Sequence, residues 1–146
     1  MPDQLLSPGR TIILLGNVFY AGGAFLADWN ETHVLNPRWP PHARFHNGQT
    51  MSLGVLLSSA SLYFAFRPAF TPMTVAAAQE SAFYASAIGS FYCVAAMSAI
   101  LYPGTDWKDP EAKFGGGQKW LFSSIVAAMW VGYGLEVARL GKAKSA

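Results

Sequence analysis

"TVAAAQESAFYASAIGSFYCVAAMSAILY", residues 74–102, carries one charged side chain, Glu80, in a run long enough for about eight turns of helix. Crossing the hydrocarbon core of a bilayer takes roughly 20 mainly apolar residues, and this run exceeds that. A soluble helix of such length shows a polar stripe at the 3.6-residue period, whereas no clean polar face emerges here. The stretch predicts a transmembrane helix and argues against a water-soluble bundle.

Three further apolar runs lie outward from it: Thr11–Ala27, Met51–Phe66 and Trp120–Ala138. The first two reach spanning length only by recruiting polar flanks, the second by extending back to Phe45. The predicted spans are about 11–28, 45–66, 74–102 and 119–138, in a single transmembrane domain over residues 1–146. "RPAFTP" (67–72) and "PGTDWKDPEAKFGGGQK" (103–119) separate them with turn residues. Small residues at Gly16, Gly22, Gly23 and Ala24, at 58–61 and at 76–78 allow close helix contact in lipid. Trp29, Trp39, Trp107 and Trp120 fall at span ends, where amphipathic rings favour the membrane interface. The expected fold is all-α: a polytopic membrane four-helix bundle with a polar cap between helices 1 and 2.

Composition agrees. Of 146 residues, 52% are hydrophobic and only 12% charged, about half the charged share of a soluble domain. The net charge of +2 gives no electrostatic footprint for nucleic acid. The lone Cys93 rules out an internal disulfide. "MPDQLLSPGR" lacks a basic n-region, so the first apolar run is expected to remain as a span. Four spans put Arg10, Arg67, Arg139, Lys142 and Lys144 on one side and Arg38, Arg44, Lys108, Lys113 and Lys119 on the other. Five against five leaves orientation open, and the basic cluster "RLGKAK" favours cytosolic termini.

The chemistry concentrates in "DWNETHVLNPRWPPHARFHNGQT", residues 28–50, which holds all three histidines. Asp28, Glu31, His33, His42 and His46 place five titratable groups within 19 residues at one membrane face. Pro40-Pro41 suits a helix start, which sets His42, His46 and Gln49 on one face at i, i+4 and i+7 and continues to Leu53 and Leu56. On helix 1, Asn17, Ala24, Asp28 and Glu31 form a second stripe, and both converge on the loop with His33, Asn36 and Arg38. Asp28 is the leading general base, and His46, assisted by His42, the leading acid. Asn17, Asn30, Asn36, Arg38 and Gln49 are candidates to bind or orient substrate, as are Glu80 and Tyr84 if they face the pocket. Asn30, Asn36 and Asn47 also suit turns and caps, and Arg44 suits an interfacial, snorkelling position. Glu136 is expected to pair with Arg139 or Lys142 at the interface. The Asn30-Glu31-Thr32 sequon lies too close to a span to read as a glycosylation site.

A rival reading lets His42 and His46 share a cation, completed by His33 or Glu31. Three scattered histidines are a weak ligand set, so metal-free acid–base chemistry is expected, with no cofactor. Di-iron chemistry needs more histidines, and no nucleophilic serine motif, phosphate loop or dinucleotide fingerprint occurs.

Through "DWNETH", "NPRWPPHARFHNGQT" and the four-span layout, the chain resembles small fungal membrane proteins. Some of these are encoded in polyketide clusters of the aurovertin and citreoviridin type. The resemblance implies a hydrolase opening polyene epoxides made by a partner flavin monooxygenase, in a multi-pass protein of the endoplasmic reticulum. It supplies no residue roles. Epoxide opening needs an acid at the epoxide oxygen and a base for the nucleophile, and an apolar bundle with a polar mouth suits a hydrophobic small-molecule substrate in contact with membrane lipid. A sterol-isomerase-like proton shuttle would use the same groups, and a non-catalytic scaffold or lipid-binding protein would need none of them.

Overall fold

The computed structural model describes residues 3–108 and 116–144. Four helices make the protein: α1 (Pro8–Asp28), α2 (Pro41–Phe70), α3 (Val75–Ser98, extended by a 3-10 turn over Ala99–Leu101) and α4 (Gln118–Lys144). Each packs against the next, α4 closes on α1, and α1 reaches α3 across the bundle. Contacts join the end of each helix to the start of its neighbour, as in Asp28 with Asn47 and Gln79 with Val137, so all neighbours run antiparallel.

All four helices are long and apolar enough to cross a membrane, and only 22–33% of their most apolar windows is buried. The interior includes many small polar residues, and many large apolar ones lie on the surface. Ser61 and Ser86 are buried completely, while Leu26 and Leu56 stand out from the surface. Water would reverse that sorting; lipid favours it, because small polar residues let helices approach and hydrogen-bond. The arrangement fits a multi-pass membrane protein. The Ser61 hydroxyl donates to the Ala85 carbonyl and accepts from Asn17 Nδ2, tying α1, α2 and α3 together. Ser86 joins α3 to α4 by donating to the Met129 carbonyl.

Local chemistry moves several boundaries outward from the expected spans. Ser7 caps α1 through the Arg10 amide, with Pro8 in the first turn. Helix α2 runs through Pro68 instead of ending at residue 66. Pro68 lacks the N–H that the Phe64 carbonyl would accept; the Ser81 hydroxyl donates to that carbonyl instead, at 3.0 Å. At 30 residues α2 is about 45 Å long, against a hydrocarbon core of about 30 Å. Its first turns therefore project towards water. Trp29, Trp39, Trp107 and Trp120 all lie at this same end of the bundle.

Not every expected small-residue contact forms. A Cβ on Gly22 or Gly23 would meet nothing within 4 Å, so neither sits in a helix contact. The close approach is between Gly9 on α1 and Gly132 on α4: a Cβ on Gly132 would lie 2.8 Å from Ile13 Cγ1 and 2.9 Å from the Gly9 carbonyl oxygen. Overpacking costs about 1–3 kcal/mol, more than the ~1 kcal/mol that alanine gains over glycine in a helix. Gly132→Ala should lower the thermal unfolding midpoint in detergent, whereas Gly22→Ala should hold or raise it. Equal shifts in the two variants would refute this packing.

The end of the bundle opposite these tryptophans, beside Gly9 and Gly132, holds a buried ionic network. Glu136, 2% exposed, accepts from the Ser7 hydroxyl, meets Arg139 at 2.8 Å and Arg10 at 3.8 Å. Arg10, also 2% exposed, and Arg139 both reach Asp3, at 2.8 and 2.5 Å. Glu136 thus pairs with Arg139, as expected, but as a buried interior group and not at the interface. The Arg139 hydrogen bond, with the charges of Arg10 and Arg139, outweighs burial and holds the Asp3 carboxyl down to about 2. A depressed carboxylate stabilises the fold above its unfolded value near 3.8 and loses that contribution as pH falls through its folded one. The stability gap between wild type and Asp3→Asn should be full at pH 6 and close between about pH 4 and 2 in thermal melts. A gap that does not change with pH would show that Asp3 contributes only packing.

Candidate functional site

Towards the tryptophan end, α1 and α4 part around a cavity of about 270 Å³. Its walls are Phe19, Gly23 and Ala27 from α1 and Leu121, Phe122 and Ile125 from α4. Tyr92 of α3, stacked on Tyr20 at 5.2 Å between ring centroids, contributes the floor. Asp28, His33 and Gln118 supply its polar end.

The segment between α1 and α2 is a run of turns that positions His33. Asn30 Nδ2 donates to the Ala27 carbonyl at 2.7 Å, closing α1, and Asn30 Oδ1 accepts from the Thr32 amide and hydroxyl at 2.8 and 2.6 Å. This turn occupies the whole side chain of the sequon asparagine. Asn36, buried, accepts from the Arg38 amide through Oδ1 and from Arg44 through its carbonyl at 2.7 Å. Arg44 therefore pins the cap, where an interfacial snorkelling role was expected. Asn30 and Asn36 build the cap and orient the site only through it.

Hydrogen bonding assigns the His33 tautomer. Thr32 spends its one hydrogen on Asn30 Oδ1, so its oxygen, 2.7 Å from His33 Nδ1, must accept from that nitrogen. The neutral ring then presents an unprotonated Nε2, which lies 3.9 Å from Asp28 Oδ1. Asp28 Oδ2 is held by Asn47 Nδ2 at 2.9 Å, leaving Oδ1 for the cavity. Two acceptors cannot bond to each other, and at this separation both can accept from one donor bearing two hydrogens, such as water. Protonated, His33 becomes a donor at the same point. Tyr92 and Gln118, which also line the cavity, carry a hydroxyl and an amide that can donate.

The structure departs here from the expected acid–base pair. His33, and not His46, stands beside Asp28. His46 and His42 do lie on one helix face, with Nε2 atoms 3.0 Å apart and His46 Nδ1 on Gln49 Oε1 at 3.0 Å. That face is exposed on the projecting turns of α2 and lines no part of the cavity. Neither His33 nor Glu31 completes a cation site with them, and no group of three metal-ligating side chains occurs among the described residues. Glu31 and Arg38 are exposed on the cap. Asn17 is fully buried in the interhelical network, where it accepts from the Tyr20 hydroxyl at 3.0 Å. Glu80 and Tyr84 do not face the pocket: they pair at 3.4 Å on the outer surface near the opposite end, with Tyr84 against Phe64.

Tyr92, Gln118 and Asn47 are the site residues that sequence reasoning missed. Two of them carry a readable signal. Gly54, Ser58, Ser61 and Ala65 trace the buried face of α2 at helical spacing, and extended back through Met51 that face leads to Asn47. On α3, Ala78, Ser81, Ala85 and Gly89 lead to Tyr92 in the same way. Gln118 has no such mark, because it is the first residue of α4 and no helical turn precedes it on which a face could be read.

Neither a curated protein nor a solved structure matches the chain significantly. The profile of one family covers residues 12–145, nearly the whole bundle. The chain therefore belongs to DUF6640, a family of unknown function.

Proposed function

We propose that this protein is a membrane-bound hydrolase that opens the epoxide of a hydrophobic small molecule of the polyene or polyketide type, using Asp28 and His33. The observation that carries the reading is the convergence of Asp28 Oδ1 and His33 Nε2, 3.9 Å apart, at the polar end of an otherwise apolar cavity. Water held between them is aligned to lose a proton while its oxygen forms a bond to an epoxide carbon. As that bond forms, the ring C–O bond breaks and its electron pair goes to oxygen. The Tyr92 hydroxyl supports that oxygen by hydrogen bonding, and the proton taken by the Asp28–His33 pair returns to it. One water and one epoxide become one vicinal diol, and the pair is restored. The reading places the protein in the endoplasmic reticulum with cytosolic termini, downstream of a flavin monooxygenase that supplies the epoxide.

Purified protein in lipid nanodiscs, given polyene mono- and bis-epoxides in H₂¹⁸O, tests it. Diol carrying one ¹⁸O per opened epoxide, in the presence or absence of chelator, is the expected result. An isomer without ¹⁸O would move the same pair to proton-shuttle chemistry. Absence of any product across the series would favour a non-catalytic lipid-binding role.

A further inference from the structure

We infer that the ligand enters sideways from the bilayer, through the crevice between α1 and α4, and that only its oxygenated end is enclosed. This rests on the cavity being the ligand site, and not on epoxide opening being the chemistry. The two helices touch backbone to backbone at Gly9 and Gly132, then separate towards the tryptophan end. Along the parting, beyond Phe19 and Tyr20, α1 presents the small residues Gly23, Ala24 and Ala27. A Cβ on Gly23 would meet nothing within 4 Å although this residue lines the cavity, and Ala27 follows one turn later. Phe19 and Leu121 flank the opening and are themselves 60% and 42% exposed on the outer, apolar surface. The mouth therefore faces hydrocarbon.

Volume decides how much of a ligand goes in. About 270 Å³ lies below the roughly 300–1,000 Å³ of pockets that enclose a whole drug-sized ligand. A long chain cannot fit inside, and the polar groups Asp28, His33 and Gln118 cluster at the interfacial end. The matching ligand is a single-chain amphiphile, oxygenated at one end, whose tail stays in the bilayer along the exposed Leu15 and Phe19 of α1. Its affinity should depend on the head and the first few carbons and be indifferent to further length.

A series of terminal alkyl epoxides of increasing length, each with a diazirine in the tail, tests this by photolabelling in nanodiscs. Expected labels fall on the outer faces of α1 and α4, with yields level once the tail exceeds about ten carbons. Gly23→Leu, which fills the crevice, should cut labelling about tenfold, and Gly23→Ala should cut it less. Gly22→Leu, one position round the helix, should leave it unchanged, and all variants should elute as folded protein. Yields that collapse for longer tails, or labelling that ignores Gly23→Leu, would overturn the inference whatever the chemistry. If labelling follows the expected pattern while no epoxide is opened, the entry route stands and the hydrolase reading falls.

Discussion

Asp28→Asn should lower epoxide turnover by at least about 100-fold, and His33→Ala by a similar factor, while both variants still fold and insert. General acid–base groups contribute typically about 10²–10⁴-fold each, and these two share one proton. Because they act on the same water, the double variant should be scarcely worse than either single one. Asparagine at position 28 can still accept from Asn47 Nδ2 but cannot take a proton, so the loss should appear in kcat more than in KM. Alanine at His42 or His46 should cost far less, since both stand outside the cavity. Single-turnover kinetics on the five proteins check the set. Near-normal kcat in Asp28→Asn, or a collapse in His46→Ala alone, would return the acid role to the exposed histidine pair.

Glu136→Ala should be the most destabilising change in the bundle. Its carboxylate lies between Arg10 and Arg139 and is almost inaccessible to solvent. Removing one partner of a buried pair costs about 3–5 kcal/mol, mostly because the remaining charge is left uncompensated. Here two guanidinium groups would be left to share the carboxylate of Asp3, itself partly open to water. Glu136→Gln keeps an acceptor for Ser7 and should fall between alanine and wild type. Thermal unfolding by size-exclusion recovery in detergent measures both. An alanine variant that recovers like wild type would show that the network is dispensable.

The four helices were legible because apolar runs in a chain so poor in charge admit few other solutions. The ends were less so, because they depend on single hydrogen bonds such as that of Ser81 to the Phe64 carbonyl. Helix phase was legible and helix facing was not. His42, His46 and Gln49 share a face, as their spacing requires, yet the face that turns inward is the one with Gly54, Ser58 and Ser61. In lipid, a stripe ending in Leu53 and Leu56 is an outer surface; read by the habits of soluble proteins it looked like a path to the core. Asp28 was singled out as the end of a polar stripe and His33 as one of the histidines of residues 28–50, but their standing side by side depends on the Asn30–Thr32 turn. Of the ionic network only the Glu136–Arg139 pair, at i, i+3 on one helix, was legible, since Arg10 and Asp3 reach it through tertiary packing.

That network also orders the protein's assembly in time. Asp3 and Arg139 are 136 positions apart, so α1 is synthesised with Asp3 at hand for Arg10 but long before Glu136, the second acid beside that arginine, exists. Until α4 arrives, Arg10 sits at the edge of a hydrophobic span without Glu136, a state that disfavours settling of α1 alone in the bilayer. The first helix should remain at the translocation machinery, or shift outward to keep Arg10 wet, until the last one is delivered. Chains stopped after α3 would be expected to stay extractable from the membrane or be degraded, and a separately expressed α4 carrying Glu136 would rescue them.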